Sequence, residues 1–122
     1  MPRLPIVLAV GLALLVPGTA DAASHRCKTT GLHYAFAKGQ PKFFGVFRLR
    51  ITGGSCTTAH RVAKKWMDRF EDSIRSDGNL VVPKQVEGFK FKTLDAVEAQ
   101  SYNERGRKGD TTIRFLYRVP NG

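Results

Sequence analysis

Apolar and polar residues alternate along several stretches of this 122-residue chain, and in one stretch only they switch to a spacing of three and four. From Phe43 to Thr52, Gly45, Phe47, Leu49 and Ile51 fall on one side of an extended backbone, and Val46, Arg48 and Arg50 fall on the other. From Val86 to Thr93, Phe89 and Phe91 alternate with Lys90 and Lys92. The strongest run is Thr111 to Val119, with Ile113, Phe115, Tyr117 and Val119 opposite Thr112, Arg114, Leu116 and Arg118. A period of two with one apolar face predicts strands half-buried in a sheet. Weaker alternation marks Leu32, Tyr34 and Phe36, and again Val97 to Glu104. Lys38 to Lys42, with Gly39 and Pro41, reads as a turn, Leu80 to Pro83 as an extended connector, and Arg105 to Asp110, with two glycines, as a hairpin turn.

The three-and-four spacing runs through Cys56, Ala59, Val62, Ala63, Trp66, Met67, Phe70 and Ile74. It predicts one amphipathic helix of about five turns with a single apolar stripe. Ser55 precedes it as an N-cap whose hydroxyl takes an orphan backbone N–H, and Asp77-Gly78 ends it. A helix with one stripe and strands with one apolar face each bury those faces most economically against each other. The predicted fold is therefore α+β: one helix packed on an antiparallel sheet of about four strands. Trp66, Phe70, Phe89, Phe91, Phe115 and Tyr117 are its expected core.

The first residues change where this domain is placed. Leu4 to Val16 is an apolar run of 13 residues, short for a membrane span, followed by Pro17-Gly18 and by Ala20-Asp21-Ala22. That order is a signal-peptide core and a small-residue cleavage site, which divides the chain into a signal peptide at 1–22 and one small domain at 23–122. A buried N-terminal helix and an uncleaved anchor are the competing readings. Loss of Arg3 and Asp21 with the signal leaves the net charge at +10. Such a charge draws the protein toward anionic partners outside the cell: wall polymers, acidic polysaccharide, lipid or nucleic acid.

Export also bears on the two cysteines, Cys27 and Cys56. An oxidising compartment favours a disulfide between them, which stabilises by roughly 3–4 kcal/mol for a loop of about 30 residues. The alternative is a tetrahedral zinc set of His25, Cys27, Cys56 and His60, in which Cys56 and His60 stand one helical turn apart.

Ser55-Cys56-Thr57-Thr58-Ala59, continued by Val62-Ala63 and Trp66, resembles a group of small exported proteins frequent in actinobacteria and related bacteria. Their pattern has a Cys near the mature start and then a strand. A Ser-Cys-x-x-Ala-x-x-Val-Ala helix, a Val-x-Gly-Phe-x-Cys strand and a fourth Cys before the last strand follow. Val86, Gly88 and Phe89 match that strand, Phe91 stands where the third Cys would be, and no Cys occurs near Ser101 to Asn103. The second pair is missing together, so the resemblance implies that the retained Cys27 and Cys56 are partners. It implies a fold and a compartment, and no activity, cofactor or catalytic residue.

The residues themselves point away from catalysis. Gly53-Gly54-Ser55 lacks the following glycine of a nucleophile elbow, and His25, His33 and His60 are scattered. No phosphate-cradling glycine loop is present, and a Cys56–His60 nucleophile pair would need a free thiol. The sharper signal is charge. Arg48, Arg50, Lys90, Lys92, Arg114 and Arg118 take the non-core positions of three strands with no acid among them, and Arg105, Arg107 and Lys108 add a basic hairpin tip. The expected function is binding of an anionic polymer or acidic surface by an exported, non-enzymatic, monomeric domain without cofactor or metal. A protein-interaction or inhibitor-like module and a small secreted enzyme are the alternatives. The bland reading of the same charges is a solvated face that discourages edge-to-edge pairing.

Overall fold

A computed structural model describes residues 23–78, 80–97 and 100–120. The expected signal peptide, residues 1–22, lies outside the described residues. The chain forms β1 (Ser24–Arg26), β2 (His33–Tyr34), β3 (Phe44–Thr52), α1 (Cys56–Asp77), β4 (Gln85–Val86), β5 (Phe89–Val97), β6 (Ser101–Lys108) and β7 (Thr111–Arg118). The strands make one antiparallel sheet in the order β1-β3-β7-β6-β5-β4, and β2 pairs with the far end of β3. The helix-on-sheet architecture and the disulfide are as expected. The sheet has seven strands among the described residues where about four were expected. The additional ones are short segments of two or three residues, too brief to show a period.

The helix forms where the local signals place it. Ser55 Oγ accepts from the Thr58 backbone N–H at 3.3 Å, and the Gly78 N–H donates to the Ile74 carbonyl at 2.9 Å. Ala59, Val62, Ala63, Trp66 and Phe70 are fully buried, and α1 lies across β3, β7 and β4. Trp66 is the centre of the core. Its ring stacks on Phe70 at 5.3 Å and meets the rings of Phe115 and Tyr117 edge-on at 5.1 and 4.9 Å. The six expected core aromatics are all buried.

A latch missed by periodicity ties helix to sheet. A Glu71 oxygen on α1 accepts from the hydroxyls of Tyr34 (3.3 Å) and Tyr117. Burial, reinforced by the Glu71 charge, pushes the Tyr34 phenol up to about 12, and burial raises Tyr117 further. Both phenols therefore remain donors to the carboxylate across the physiological range.

Two departures from strict alternation reshape β3 and the expected strand at Val86 to Thr93. In β3, Phe47 pairs with Leu116 and Arg50 with Arg114, so Arg48 and Leu49 together oppose Phe115. Arg48 is the bulged residue, with φ 55°. The extra residue shifts the phase by one. Val46 is buried opposite Tyr117, and Phe47 lies on the outer face, whereas the sequence placed Gly45 and Phe47 with Leu49 and Ile51. The second departure splits the expected strand at Val86 to Thr93. Glu87 and Gly88, both at positive φ (50° and 84°), make a two-residue hairpin turn of the I′ kind, and β5 begins only at Phe89. Glu87 is pinned there by Arg61 at 3.0 Å and Lys65 at 2.5 Å.

Two further expectations are corrected. Leu32 is buried but only His33 and Tyr34 form a strand, and Phe36 is exposed in the loop beyond. The expected turn at Arg105 to Asp110 is strand as far as Lys108, and Gly109-Asp110 alone makes the connection. Gly106 belongs to β6 because the Phe91 ring lies against it; a Cβ there would sit 2.5 Å from that ring.

Candidate functional site

Cross-strand register assembles the basic face more completely than the sequence suggested. Arg26 on β1 pairs with Arg50 on β3, Arg50 with Arg114 on β7, Arg114 with Arg105 on β6, and Arg105 with Lys92 on β5. Five cations thus stand in one row across five strands, a span of about 19 Å at the usual strand spacing. The adjacent row runs Ser24, Thr52, Thr112, Arg107, Lys90. Buried neighbours on alternate positions (Leu49, Ile51, Ile113, Phe115, Glu104, Gly106) show that both rows point away from the helix.

The expected site residues are distributed as follows. Arg50, Lys90, Lys92 and Arg114 lie in these two rows. Arg105 and Arg107, expected at a hairpin tip, are strand residues in the same rows, because Gly106 is extended and not turned. Lys108 ends β6, donates to the Glu87 carbonyl at 3.2 Å and sits over the Phe89 ring at 5.6 Å, which draws it toward the β4–β5 turn. Arg118 lies at the opposite end of β7, its guanidinium 5.5 Å from the Phe47 ring. Arg48 loses its place in the alternation to the bulge. It joins Arg26, Lys28 and Arg50 around a hollow of about 420 Å³ at the β1 edge. One acid does share the face, since Asp95 on β5 is opposite Asn103; a second bulge after Thr93 brings it there, beyond the reach of strict alternation.

Ionic pairing is segregated from this face. The four salt bridges among the described residues are Arg61–Glu87, Lys65–Glu87, Lys64–Asp68 and Arg75–Asp72. All lie on the helix or between it and the β4–β5 turn. None involves a cation of the two rows. Arg26, which sequence reasoning left out, becomes part of the site because β1 is held to β3 and because the next residue is a disulfide cysteine. No periodic signal in three residues could have revealed it.

The disulfide closes Cys27 to Cys56 with their Cα atoms 5.3 Å apart. Both thiols are thereby used, and the zinc set and the Cys56–His60 nucleophile lose the thiolates they require. His60 Nε2–H instead donates to the Thr30 carbonyl at 2.7 Å, and His33 Nε2–H donates to the Val46 carbonyl at 2.7 Å while its ring stacks on Phe47. Above the disulfide a hollow of about 670 Å³ is lined in part by Arg26, Lys28, His60 and Arg61. It shares Arg26 and Lys28 with the hollow at the β1 edge, which in turn shares Arg50 with a third on the sheet face. The basic surface therefore continues from the sheet face around β1 to the start of the helix.

Beneath the basic rows lies one buried acid. Glu104 on β6 faces the core, 1% exposed, with the Thr93 hydroxyl donating to it at 2.5 Å. Burial pushes its carboxyl up to about 7, against the lowering effect of Thr93. An unfolded Glu releases its proton near 4.5, so between those values the folded chain holds more protons than the unfolded one. The contribution of this group to stability is complete below 4.5 and declines as pH rises to about 7. Urea unfolding from pH 4 to 8 should accordingly give a flatter profile for Glu104→Gln than for the parent, and the variant should be the more stable above pH 7. Superimposable profiles would show that Glu104 ionises normally.

No protein-family model, curated protein or solved structure matches this chain.

Proposed function

We propose that the protein is an exported, monomeric binding module that takes an anionic polymer or acidic surface on its cationic sheet face, without catalysis. The observation that carries this reading is the sequence of directly opposed like charges: Arg26–Arg50, Arg50–Arg114, Arg114–Arg105, Arg105–Lys92 and Arg107–Lys90. Like charges facing each other across strands destabilise a sheet. A face serving solubility alone is better built with both signs interspersed. Here the salt bridges among the described residues lie on the helix side and the two rows of cations keep their repulsion, an arrangement that an anionic ligand would relieve. The disulfide is compatible with the oxidising compartment that export implies. The resemblance to small exported proteins supports the same placement.

The test is retention on an immobilised polyanion as a function of salt. The parent should elute late, with a steep dependence of affinity on salt concentration. Arg50→Gln/Arg105→Gln/Arg114→Gln should elute much earlier and lower the salt slope by about one per cation removed. Its stability should be unchanged or slightly higher, because repulsion across β3, β7 and β6 is gone. Unchanged elution in a folded variant would remove the sheet face from consideration.

One observation favours a second reading, a protein-docking module. Phe36 and Phe43, 66% and 58% exposed, project from the β2–β3 loop beside a hollow of about 290 Å³ lined with Pro41, Phe44 and Pro120. Association that is insensitive to salt and lost in Phe36→Ser/Phe43→Ser would support that reading over the first.

A further inference from the structure

We infer that the hollow on the sheet face is a receptor for one tetrahedral oxyanion, a phosphate or sulfate ester borne by the ligand. The inference rests on the reading of the basic face as a binding surface. The hollow has a volume of about 360 Å³ and is lined by Ser24, Arg50, Thr52, Arg107, Thr112 and Arg114. Register explains its construction. Ser24, Thr52 and Thr112 are consecutive partners across β1, β3 and β7, so three hydroxyls form a continuous floor. Arg107 continues that row on β6, and Arg50 and Arg114 are partners in the next row. Three guanidiniums therefore surround three hydroxyls.

General attraction for polyanions requires none of these hydroxyls. Lysine or arginine at the same positions would serve it better. The hydroxyls add short, directional donors that an anion engages only if it reaches the floor. Arg50 is already oriented, since its Nε–H donates to Ser24 Oγ at 3.0 Å. That bond leaves both terminal amino groups of Arg50 for another acceptor and leaves the Ser24 proton free to point into the hollow. None of the three arginines pairs with a carboxylate among the described residues.

The geometry of the donors selects the anion. A carboxylate has two oxygens, whose lone pairs lie in one plane. Donors rising from a floor and closing from the sides would leave several of its approaches unmet. A tetrahedral ester presents three outward oxygens and accepts from the floor and the walls together. Guanidinium groups also bind such oxyanions in a bidentate manner. The hollow is large enough for the charged group and the start of its ester linkage, so the rest of the polymer can follow the row of cations toward Arg105 and Lys92.

The test uses the intact oxidised chain and a change that leaves its charge alone. Thr52→Val/Thr112→Val keeps both side chains β-branched and removes two hydroxyls. Retention is compared on three polymers of matched charge density: one sulfated, one phosphorylated and one carrying carboxylates only. Titration with inorganic sulfate and inorganic phosphate at constant ionic strength is followed by NMR at the arginine Nε–H and threonine signals. The expected result is saturable shifts at Arg50, Arg107 and Arg114, and preferential retention by the sulfated or the phosphorylated polymer. The valine pair should weaken binding to the preferred polymer at least about tenfold while leaving the carboxylate polymer unaffected. Whichever inorganic ion saturates the shifts identifies the ester. Thr52→Ser/Thr112→Ser should restore binding, which separates hydroxyl loss from misfolding.

Equal retention on all three polymers, with the valine pair indistinguishable from the parent, would overturn the oxyanion receptor and leave the basic-face reading standing. Absence of salt-sensitive retention on any polymer would remove both.

Discussion

Trp66→Ala should lower the unfolding free energy by about 3–5 kcal/mol, enough to leave a domain of this size barely folded at room temperature. Trp66 is fully buried on α1 and meets Phe70, Phe115 and Tyr117 within 5.3 Å, so its removal opens a hole at the contact between helix and sheet. The surrounding rings cannot close that hole readily. Phe70 is also held against Tyr102 at 5.5 Å, and Tyr117 is fixed through its hydroxyl to Glu71. Trp66→Phe should cost clearly less, since it retains the ring contacts and discards a buried indole N–H that has no partner among the described residues. Chemical denaturation of the two variants checks both values. A loss below 1 kcal/mol for Trp66→Ala would mean that the helix draws its stability from somewhere other than this cluster.

The difference between the readily legible and the hidden parts of the molecule is one of range. The helix was legible because its apolar stripe, its Ser55 cap and its glycine stop are each written within one or two turns. β7 was legible because Ile113, Phe115, Tyr117 and Val119 keep one apolar face through the run, with Leu116 as the single apolar residue opposite. The face of β3 was not, because the bulge at Arg48 is imposed by pairing with β7 and no glycine announces its left-handed backbone. A single extra residue transferred Val46 to the core and Phe47 to the outside. Gly106 misled in the opposite sense. A glycine between two arginines reads as a turn, yet it is extended, and its missing side chain makes room for Phe91 from the neighbouring strand.

The candidate site has the same mixture. Alternation alone places Arg50, Lys90, Lys92 and Arg114 on an outer face. That these residues, with Arg26 and Arg105, form one unbroken row depends on strand order and register, which no local pattern contains. The hydroxyl floor is more remote still, since Ser24 and Thr112 are separated by most of the domain and meet only through β3.

Cys27→Ala/Cys56→Ala should cost roughly 3–4 kcal/mol of stability, because the cross-link no longer restricts a loop of about 30 residues in the unfolded chain. The site should suffer more than the core. β1 has three residues, all exposed, and it is held chiefly by the ladder to β3 and by the disulfide that immediately follows it. The Cys27 N–H still donates to the Leu49 carbonyl at 2.8 Å, but at the end of so short a strand that bond survives poorly alone. Under conditions where the variant remains folded, amides of Ser24 to Cys27 should therefore exchange far faster than those of β7. Freed from β3, β1 withdraws Arg26 from the cationic row and Ser24 from the hydroxyl floor, and Arg50 loses the partner of its Nε–H. Polyanion affinity should fall severalfold even though both substituted residues are uncharged, and reduction of the parent should reproduce the fall. Hydrogen exchange and salt-dependent retention, measured on the same folded sample, check the two halves of this coupling. Protection of β1 equal to that of β7 in the variant would mean that strand pairing alone holds the site together and that the disulfide acts on stability only.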